Sequence, residues 1–213
     1  MFRLKDAEII AAGRTRDVYR HPDDASLLIK VIRPSAIEAR YGRGAPWYKF
    51  KRRRYRHLIA YLREVREQIA VNAAGGQHPS FLQKIVGFAE TDRGMGLVVE
   101  AVRAADGTSA PTVAELAGRG GLDPDRHAEL DRFLDAMVAS PVIVADLNPF
   151  NVVYGCPPGG AAQFVLIDGI GHKNLIPLER MSARINRWSK ARKADRFRQM
   201  VAARLAAAPA TAG

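Results

Sequence analysis

The sequence is poor in cysteine and in acidic side chains, and both shortages limit what the chain can be. Cys156 is the single cysteine, so an internal disulfide framework is excluded and a reducing compartment, the cytoplasm, is expected. The longest uncharged stretch, residues 147–167, is interrupted by prolines and glycines, which argues against a membrane-spanning helix. Residues 1–8 carry charges without an apolar core, so no signal peptide is predicted.

The shortage of acidic residues leaves the chain strongly basic. Lysine and arginine outnumber aspartate and glutamate by 33 to 22, and the excess lies mainly in residues 49–56 and 173–198. These segments are either solvated helix faces or a surface for an anionic partner such as ATP, a phosphorylated substrate, nucleic acid or lipid. Nucleic acid is the least favoured, because Tyr55, Trp188 and Phe197 among the charges also fit apolar helix faces.

The first half of the sequence predicts an antiparallel sheet of about five short strands and one long helix. Alternating and β-branched residues place the strands at 8–11, 17–20, 26–32, 85–90 and 96–102. Residues 33–46 contain prolines and glycines and are predicted as a loop. A helix is predicted over residues 47–72, with apolar residues at 3–4 spacing, and Gly75 and Gly76 end it. We assign residues 1–102 to an N-terminal lobe.

The second half predicts a mostly helical lobe. Residues 103–121 are predicted as a connection with a short helix from Thr112, and Asp123 and Pro124 are typical of the start of a second helix. The strand-like residues 142–144 follow that helix. We assign residues 122–206 to the C-terminal lobe and residues 207–213 to a flexible tail. Residues 178–206 predict a helix, broken or continuous, whose apolar side carries Leu178, Met181, Ile185 and Trp188.

Three polar residues in this lobe occur in an order that has a chemical meaning. Asp146 follows an apolar segment, Asn151 comes five residues later, and Asp168 ends the apolar run 165–167. Kinase-like enzymes use an aspartate to orient the attacking hydroxyl, and an amide and a second aspartate to hold Mg²⁺ on ATP phosphates. Asp146 is therefore the candidate base, and Asn151 and Asp168 are the candidate metal ligands.

Each of these residues also has an ordinary structural interpretation. Asp146 could be the first residue of an Asx turn, which the sequence Asp-Leu-Asn-Pro favours by itself. Asn151 could cap a turn, and Asp168 could begin a simple strand-end turn with Gly169. The order and spacing of all three together favour the site.

A phosphate anchor can be sought upstream. Lys30 lies within an apolar strand, where a buried ammonium is costly, and it is the candidate for contacting the nucleotide phosphates. The alternative is a lysine of an edge strand whose charged end reaches water. Gly13 precedes it in a hairpin that resembles a reduced glycine loop, and Arg14 and Arg16 could contact phosphates through their side chains.

Lys30 would need an acidic partner from the long helix. Glu64 and Glu67 are the candidates, and Glu64 is preferred because Tyr61 and Gln68 share its side of the helix. The alternative for either residue is a surface glutamate that pairs with nearby basic residues.

Taken together, these motifs resemble the PhoP regulatory network protein YrbL family, a small bacterial branch of the protein-kinase-like fold. The similarity extends over about residues 8–198. It is carried by GRTRDVYRHP at 13–22, IKV at 29–31, GFAETDRGMGL at 87–97, DLNPFN at 146–151, IDGIG at 167–171 and LIPL at 175–178. The resemblance implies an α+β, reduced kinase-like fold of two lobes, and nucleotide binding.

Departures from ordinary protein kinases shape the functional hypothesis. Val144 and Ala145 replace the histidine and arginine that usually precede the base, and Asn148 replaces a lysine. No Ala-Pro-Glu motif follows Gly171, so a full peptide-docking lobe is not expected. The first hypothesis is an ATP- and Mg²⁺-dependent phosphotransferase with a small or non-standard acceptor. The alternative is a pseudokinase, a regulatory protein that binds nucleotide or a partner protein without catalysis.

Overall fold

The computed structural model describes residues 1–13, 15–41, 55–73, 77–171 and 178–208. The chain forms two compact units, one of Met1–Arg66 with Lys84–Ala101 and one of Glu67–Gln83 with Val102–Gly213. This division differs from the predicted lobes in placing residues 67–83 in the second unit. The physical reason is packing, because Val71, Phe81 and Leu82 are buried in the core of that unit.

The first unit is built on a five-stranded sheet, as predicted. All neighbouring strands are antiparallel, in the order β1-β2-β3-β5-β4. The strands are β1 Ile9–Ala12, β2 Arg16–Arg20, β3 Leu27–Ile32, β4 Ile85–Thr91 and β5 Gly94–Glu100. Because β3 occupies the centre, the interpretation of Lys30 as an edge-strand residue is wrong.

Both faces of this sheet are covered, which explains the nearly continuous apolar run in β3. Tyr19, Ile29 and Val31 belong to one apolar cluster. Ile32 and Leu97 belong to another, on which the following helices pack. Burial on both sides selects an uninterrupted apolar strand rather than an alternating one.

Two helices follow β3 in the described part of the first half. α1 spans Pro34–Tyr41, so the predicted loop over 33–46 is wrong for these residues. Proline is favoured in the first turn of a helix, and Ala36 and Ile37 stabilise this helix by packing on the sheet. A 3₁₀ turn at Arg56–Leu58 leads into α2, Ile59–Ala73, which confirms the later part of the long predicted helix. Residues 42–54 and the predicted helix stop at Gly75 and Gly76 lie outside the described residues.

The second unit combines helices with one hairpin. Its elements are α3 Val113–Gly118, α4 Pro124–Ala139, β6 Val152–Gly155, β7 Gln163–Leu166, α5 Leu178–Met181 and α6 Ala183–Ala207. The predicted helix starts are confirmed, since the Thr112 side chain accepts a hydrogen bond from the amide of Glu115 and the Asp123 side chain accepts one from the amide of Arg126. Strand β6 was not predicted. The tail residues 209–213 lie outside the described ranges.

The buried face of α6 is not the predicted one. Met181, Ile185 and Trp188 are 76%, 39% and 61% exposed, so the predicted apolar side faces solvent. The side that packs on the core carries Asn186, Lys190, Ala194, Phe197 and Val201. Phe197 and Val201 continue the spacing of this face, and they account for its burial. No helix in the described ranges is long and apolar enough to cross a membrane.

Residues 103–112, predicted as part of a connection, pack closely on the hairpin of the second unit. Arg103 pairs with Cys156, and Thr112 pairs with Val153, each through an isolated β-bridge. Gly155 permits this contact, because a Cβ atom there would lie 2.4 Å from the carbonyl oxygen of Arg103. This segment is therefore an integral part of the second unit.

Candidate active site

Asp146 emerges at the surface directly after a buried segment. Val142 and Val144 are fully buried, whereas Asp146 is exposed. The amides of Ala145 and Asp146 both donate to the carbonyl oxygen of Gly169, at 2.7 and 3.0 Å. These two bonds fix the backbone of Asp146 against the turn that follows β7.

The turn after Asp146 is held by Asn148. The Asn148 Oδ1 atom accepts a hydrogen bond from the amide of Phe150 at 3.0 Å, which is the bond that defines an Asx turn. Its Nδ2 atom donates to Asp146 Oδ1 at 3.2 Å. The Asx turn expected from this sequence is thus made by Asn148, and the same side chain orients the carboxylate of Asp146.

Asn151 is brought to Asp146 by the hairpin that begins beside it. The Asn151 Nδ2 atom donates to the carbonyl oxygen of Asp146 at 3.1 Å. The amide of Ile167 donates to the carbonyl oxygen of Asn151 at 2.8 Å, so the two ends of the β6–β7 hairpin are joined. Because Asp168 follows Ile167, this pairing places the predicted Asn151 and Asp168 at the same end of the hairpin.

Asp168 and Gly169 form a tight turn that needs a glycine. The amide of Gly169 donates to Asp168 Oδ1 at 2.6 Å, and Gly169 has a φ angle of +85°. A Cβ atom on Gly169 would lie 2.1 Å from the carbonyl oxygen of Asp146 and 3.1 Å from Asn151 Nδ2. The turn made by Asp168 and Gly169 therefore lies against the backbone of Asp146 and the side chain of Asn151.

The side chains in this cluster suit Mg²⁺ in their chemistry. Among the described residues no group of three or more His, Cys, Asp or Glu side chains could hold a metal ion. A Mg²⁺ site does not need three such side chains, because Mg²⁺ is commonly held by one or two carboxylates together with phosphate oxygens and water. Asn151 donates to Asp146 through its nitrogen, which leaves the amide oxygen as the atom with metal-ligating character.

In the first unit, Lys30 is buried at the centre of the sheet. It is 6% exposed, and it pairs in register with Val18 of β2 and Leu97 of β5. The hydroxyl group of Tyr61 donates to the carbonyl oxygen of Lys30 at 2.8 Å, which ties α2 to this strand. Burial raises the pKa of Tyr61 above its ordinary value of 10.0, so the hydroxyl group keeps the proton that it donates.

Glu64 has a partner that the sequence did not predict. Both terminal nitrogens of Arg16 donate to its carboxylate, one of them to Oε2 at 3.1 Å, and the two residues are 8% and 5% exposed. The Arg16 guanidinium also lies 5.2 Å from the centre of the Tyr61 ring. The roles of Glu64 towards Lys30 and of Arg16 towards phosphate stay predictions. Arg16 donates two hydrogen bonds to Glu64, so a phosphate would be bound through its other N–H groups or in place of Glu64.

The other predicted phosphate-site residues have different outcomes. Gly13 lies in the turn between β1 and β2, where its amide donates to the carbonyl oxygen of Arg16 at 2.8 Å. Arg14 lies outside the described residues. Glu67, the second candidate partner for Lys30, belongs to the second unit, and its Oε1 atom accepts a hydrogen bond from the amide of Ile143 at 2.7 Å.

The sheet with its central buried lysine and the Asp146–Asp168 cluster define an α+β fold of the protein-kinase type, in reduced form. The kinase domain of Mycobacterium tuberculosis PknI, in a crystal structure of a single-residue mutant, is similar with a TM-score of 0.50 and 18% identity. The match covers 94% of this chain and 73% of that domain. At 18% identity this similarity shows that the two proteins share a fold, and it shows the fold alone.

The chain belongs to the PhoP regulatory network protein YrbL family, whose sequence model matches residues 2–202. Among its relatives are the proteins named YrbL of Escherichia coli strain K12 and of Shigella flexneri. Each is 27% identical over 201 residues, which span 92% of this chain and 84% of the relative. The family model and the structural similarity to a kinase domain therefore both extend over nearly the whole chain.

Sequence reasoning missed two contributions to this site. The first is Asn148, whose signal was its position two residues after the candidate base and before a proline. The second is a pair of lysines on α6, Lys190 and Lys193, which donate to backbone oxygens between the end of α4 and Asp146. Its signal was the 3–4 spacing of these lysines with the buried Phe197 and Val201, which the abundance of exposed arginines concealed.

Proposed function

We propose that this protein is an ATP- and Mg²⁺-dependent phosphotransferase that acts on a small or non-standard acceptor. The observation that carries the proposal is the convergence of Asp146, Asn151 and Asp168 around the close contact of Gly169 with Asp146. Membership of the YrbL family and the kinase-type fold support it.

Within the second unit, each residue of the cluster has a defined role in this proposal. Asp146 is the base, because its exposed carboxylate is oriented by Asn148 and can accept the proton of an acceptor hydroxyl. Asn151 and Asp168 are the ligands that hold the metal through oxygen atoms. Mg²⁺, when bound, neutralises the charge that develops on the transferring phosphoryl group.

The first unit contributes the nucleotide phosphate site. Lys30 anchors the phosphates, and Glu64 keeps a negative charge near the central strand that carries this lysine. Gly13 lets the hairpin backbone approach the nucleotide, and Arg14 and Arg16 supply positive charge. The burial of Lys30 is compatible with this assignment, since a buried ammonium requires oxygen or anionic partners to compensate its desolvation and phosphate oxygens are such partners.

The acceptor is proposed to be small, non-standard or the protein itself. Asn148 occupies the place where protein kinases carry a lysine, and its side chain is engaged with Asp146 and with the amide of Phe150. A neutral amide in that place cannot neutralise the transferring group as an ammonium does. This difference disfavours the chemistry of ordinary protein phosphorylation.

The experiment measures transfer of the labelled γ-phosphate of ATP to the protein, to water and to a panel of small hydroxyl compounds. Asp146→Ala is expected to lower the rate by roughly 10²–10⁴-fold, the range for loss of a general base. Asp135→Asn, which changes a 79% exposed carboxylate of α4, is the matched control and should retain the wild-type rate. Equal rates in wild type and Asp146→Ala would contradict the assignment.

The second candidate is a pseudokinase that binds nucleotide or a regulatory partner without transferring phosphate. The pairing of Arg16 with Glu64 favours it, because the side chain proposed for phosphate contact is engaged within the protein. An anionic partner could then bind the exposed arginines of α6. Stabilisation by Mg-ATP in a thermal shift assay, without transfer, would select a nucleotide-binding pseudokinase, and no stabilisation at millimolar ligand would count against both the enzyme and this nucleotide-binding form.

A further inference from the structure

Segment 140–144 leads from the end of α4 towards Asp146, and its residues 142–144 are buried without being a strand of a sheet. Val142 and Val144 are fully buried, and Ile143 is 5% exposed. The amide of Ser140 donates to the carbonyl oxygen of Ala136 at the end of α4, and the buried residues pair with other backbone groups at an isolated bridge between Val144 and Ile170, with a bond from the amide of Gly171 to the carbonyl oxygen of Ile143. Buried peptide groups require hydrogen-bond partners, so the remaining ones must be satisfied in another way.

Three side chains on one face of α6 supply those partners. Asn186 donates through Nδ2 to the carbonyl oxygens of Pro141 and Val142, at 3.0 and 3.3 Å. Lys193 donates to the carbonyl oxygen of Val144 at 2.5 Å. Positions 186, 190 and 193 are neighbours on a helix face, and we call Asn186, Lys190 and Lys193 the anchor residues.

Lys190 uses all the donors of its ammonium group. Its Nζ atom donates to the carbonyl oxygens of Met137, at 2.8 Å, and of Ser140, and it lies 3.3 Å from Ser140 Oγ. An ammonium group has three protons, and three oxygens surround this one. The side chain is fully buried, so these bonds are formed away from water and fix the end of α4 rigidly.

The arrangement is costly for the folded state. Burial lowers the pKa of Lys190 to about 8, although the nearby carboxylate of Glu67 acts in the opposite direction. Glu67 itself accepts a hydrogen bond from the amide of Ile143, so donors and acceptors of the same segment are engaged from two helices. An apolar side chain at position 190 would avoid the desolvation of an ammonium but would leave buried carbonyl groups without this donor.

We propose that Asn186, Lys190 and Lys193 are positioning residues, which hold the backbone of segment 140–144 so that the carboxylate of Asp146 is presented at a fixed place. Val144 and Ala145 carry no polar atoms in their side chains, so they cannot orient this backbone themselves. The inference rests on the proposed function in assigning the base to Asp146. The anchoring of the segment can be tested without any enzymatic activity.

The first measurement is amide hydrogen exchange on the full chain. In Lys193→Met, the amides of Ile143, Ala145 and Asp146 are expected to exchange at least about tenfold faster, while amides of β3 in the first unit keep wild-type protection. Arg196→Met removes a positive charge from an exposed position of the same helix and serves as the control. Unchanged exchange at the three amides would overturn the inference, whether or not the protein transfers phosphate.

The second measurement separates positioning from nucleotide binding. Lys193→Met is expected to lower kcat by roughly 10²-fold with little change in the KM for ATP, because a small misplacement of a catalytic group has effects of this size. Lys193→Arg keeps both charge and donors, and it should restore most of the rate. Faster exchange with unchanged kcat would refute the positioning role, and absence of transfer in the wild type would refute the proposed function separately. If Lys193→Met fails to fold, Asn186→Leu, which removes the bonds to Pro141 and Val142, is expected to give the same faster exchange and the same loss of kcat, and unchanged values would overturn the inference.

Discussion

The buried pair of Arg16 and Glu64 gives the sharpest stability prediction for the first unit. Both residues are more than nine-tenths buried, and two parallel hydrogen bonds join the guanidinium to the carboxylate. Replacing Glu64 by leucine removes one charge and leaves the Arg16 guanidinium without the carboxylate to which both of its terminal nitrogens donate. Replacing Arg16 by leucine leaves the buried Glu64 carboxylate without the guanidinium that donates to both of its oxygens.

The expected magnitude follows from this burial. Breaking a buried ion pair by removing one partner costs about 3–5 kcal/mol, because the remaining charge stays desolvated. Replacing both partners by apolar residues of similar volume is often neutral, since no unpaired charge is left. The double variant Arg16→Leu with Glu64→Leu should therefore be more stable than either single variant.

Urea unfolding followed by far-UV circular dichroism measures the effect. With an m-value of about 1–3 kcal/mol per molar urea, a loss of about 3–5 kcal/mol should lower the midpoint of each single variant by roughly 1–5 M. Arg20→Leu on the same strand and Glu38→Leu on α1 change exposed side chains, and they should stay within about 0.5 kcal/mol of the wild type. If the losses of the two single variants simply add in the double variant, the pair is not coupled and the argument from burial fails.

Two further predictions concern the second unit. Gly169→Ala should destabilise it by more than the roughly 1–2 kcal/mol that a positive φ costs alanine, because the added Cβ would lie 2.1 Å from the carbonyl oxygen of Asp146. Gly107→Ala, at a φ of +81° with open space around it, is the control, and equal melting temperatures of the two variants would contradict the close contact. The pKa of Lys190 is lowered from 10.5 in the unfolded chain to about 8 in the folded protein. Between these pH values the unfolded chain therefore binds more protons than the folded protein, so the contribution of Lys190 to the free energy of unfolding rises with pH. The difference between wild type and Lys190→Met should rise by up to roughly 3 kcal/mol from pH 8 to 10.5, and a flat difference would show that the Lys190 pKa is not lowered.

The sequence was sufficient for the elements whose local signals agree with their environment. The five strands of the first unit and the helix that begins after Asp123 were predicted, because β-branched runs, turn residues and a capping residue act over short distances. α1 was missed, because Pro34 and the glycines after Tyr41 indicated a loop, whereas packing of Ile37 on the sheet decided the structure. Propensity is overridden where tertiary contacts are available.

The candidate site divides in the same way. The structure brings Asp146, Asn151 and Asp168 together through the short-range order of the loop and the β6–β7 hairpin, which are features of neighbouring sequence. The bonds from Lys190 and Lys193 join residues about fifty positions apart, and the 3–4 spacing of these lysines with Phe197 and Val201 does not reveal which backbone groups they bind. The pairing of Arg16 with Glu64 likewise depends on which strand faces α2, and the sequence alone did not determine that.

The stretch between residues 103 and 112 has a practical consequence for anyone who needs to attach a tag or a reporter inside the chain. A connection between lobes would ordinarily be the first choice, but here its two ends pair with the β6–β7 hairpin, Arg103 with Cys156 and Thr112 with Val153. The tip at Gly107 is different, because residues 105–109 are exposed and a Cβ atom on this glycine would meet no atom within 4 Å. An inserted peptide should be accommodated after Gly107, whereas the same peptide beside Arg103 would separate the strand edges that Gly155 allows to meet.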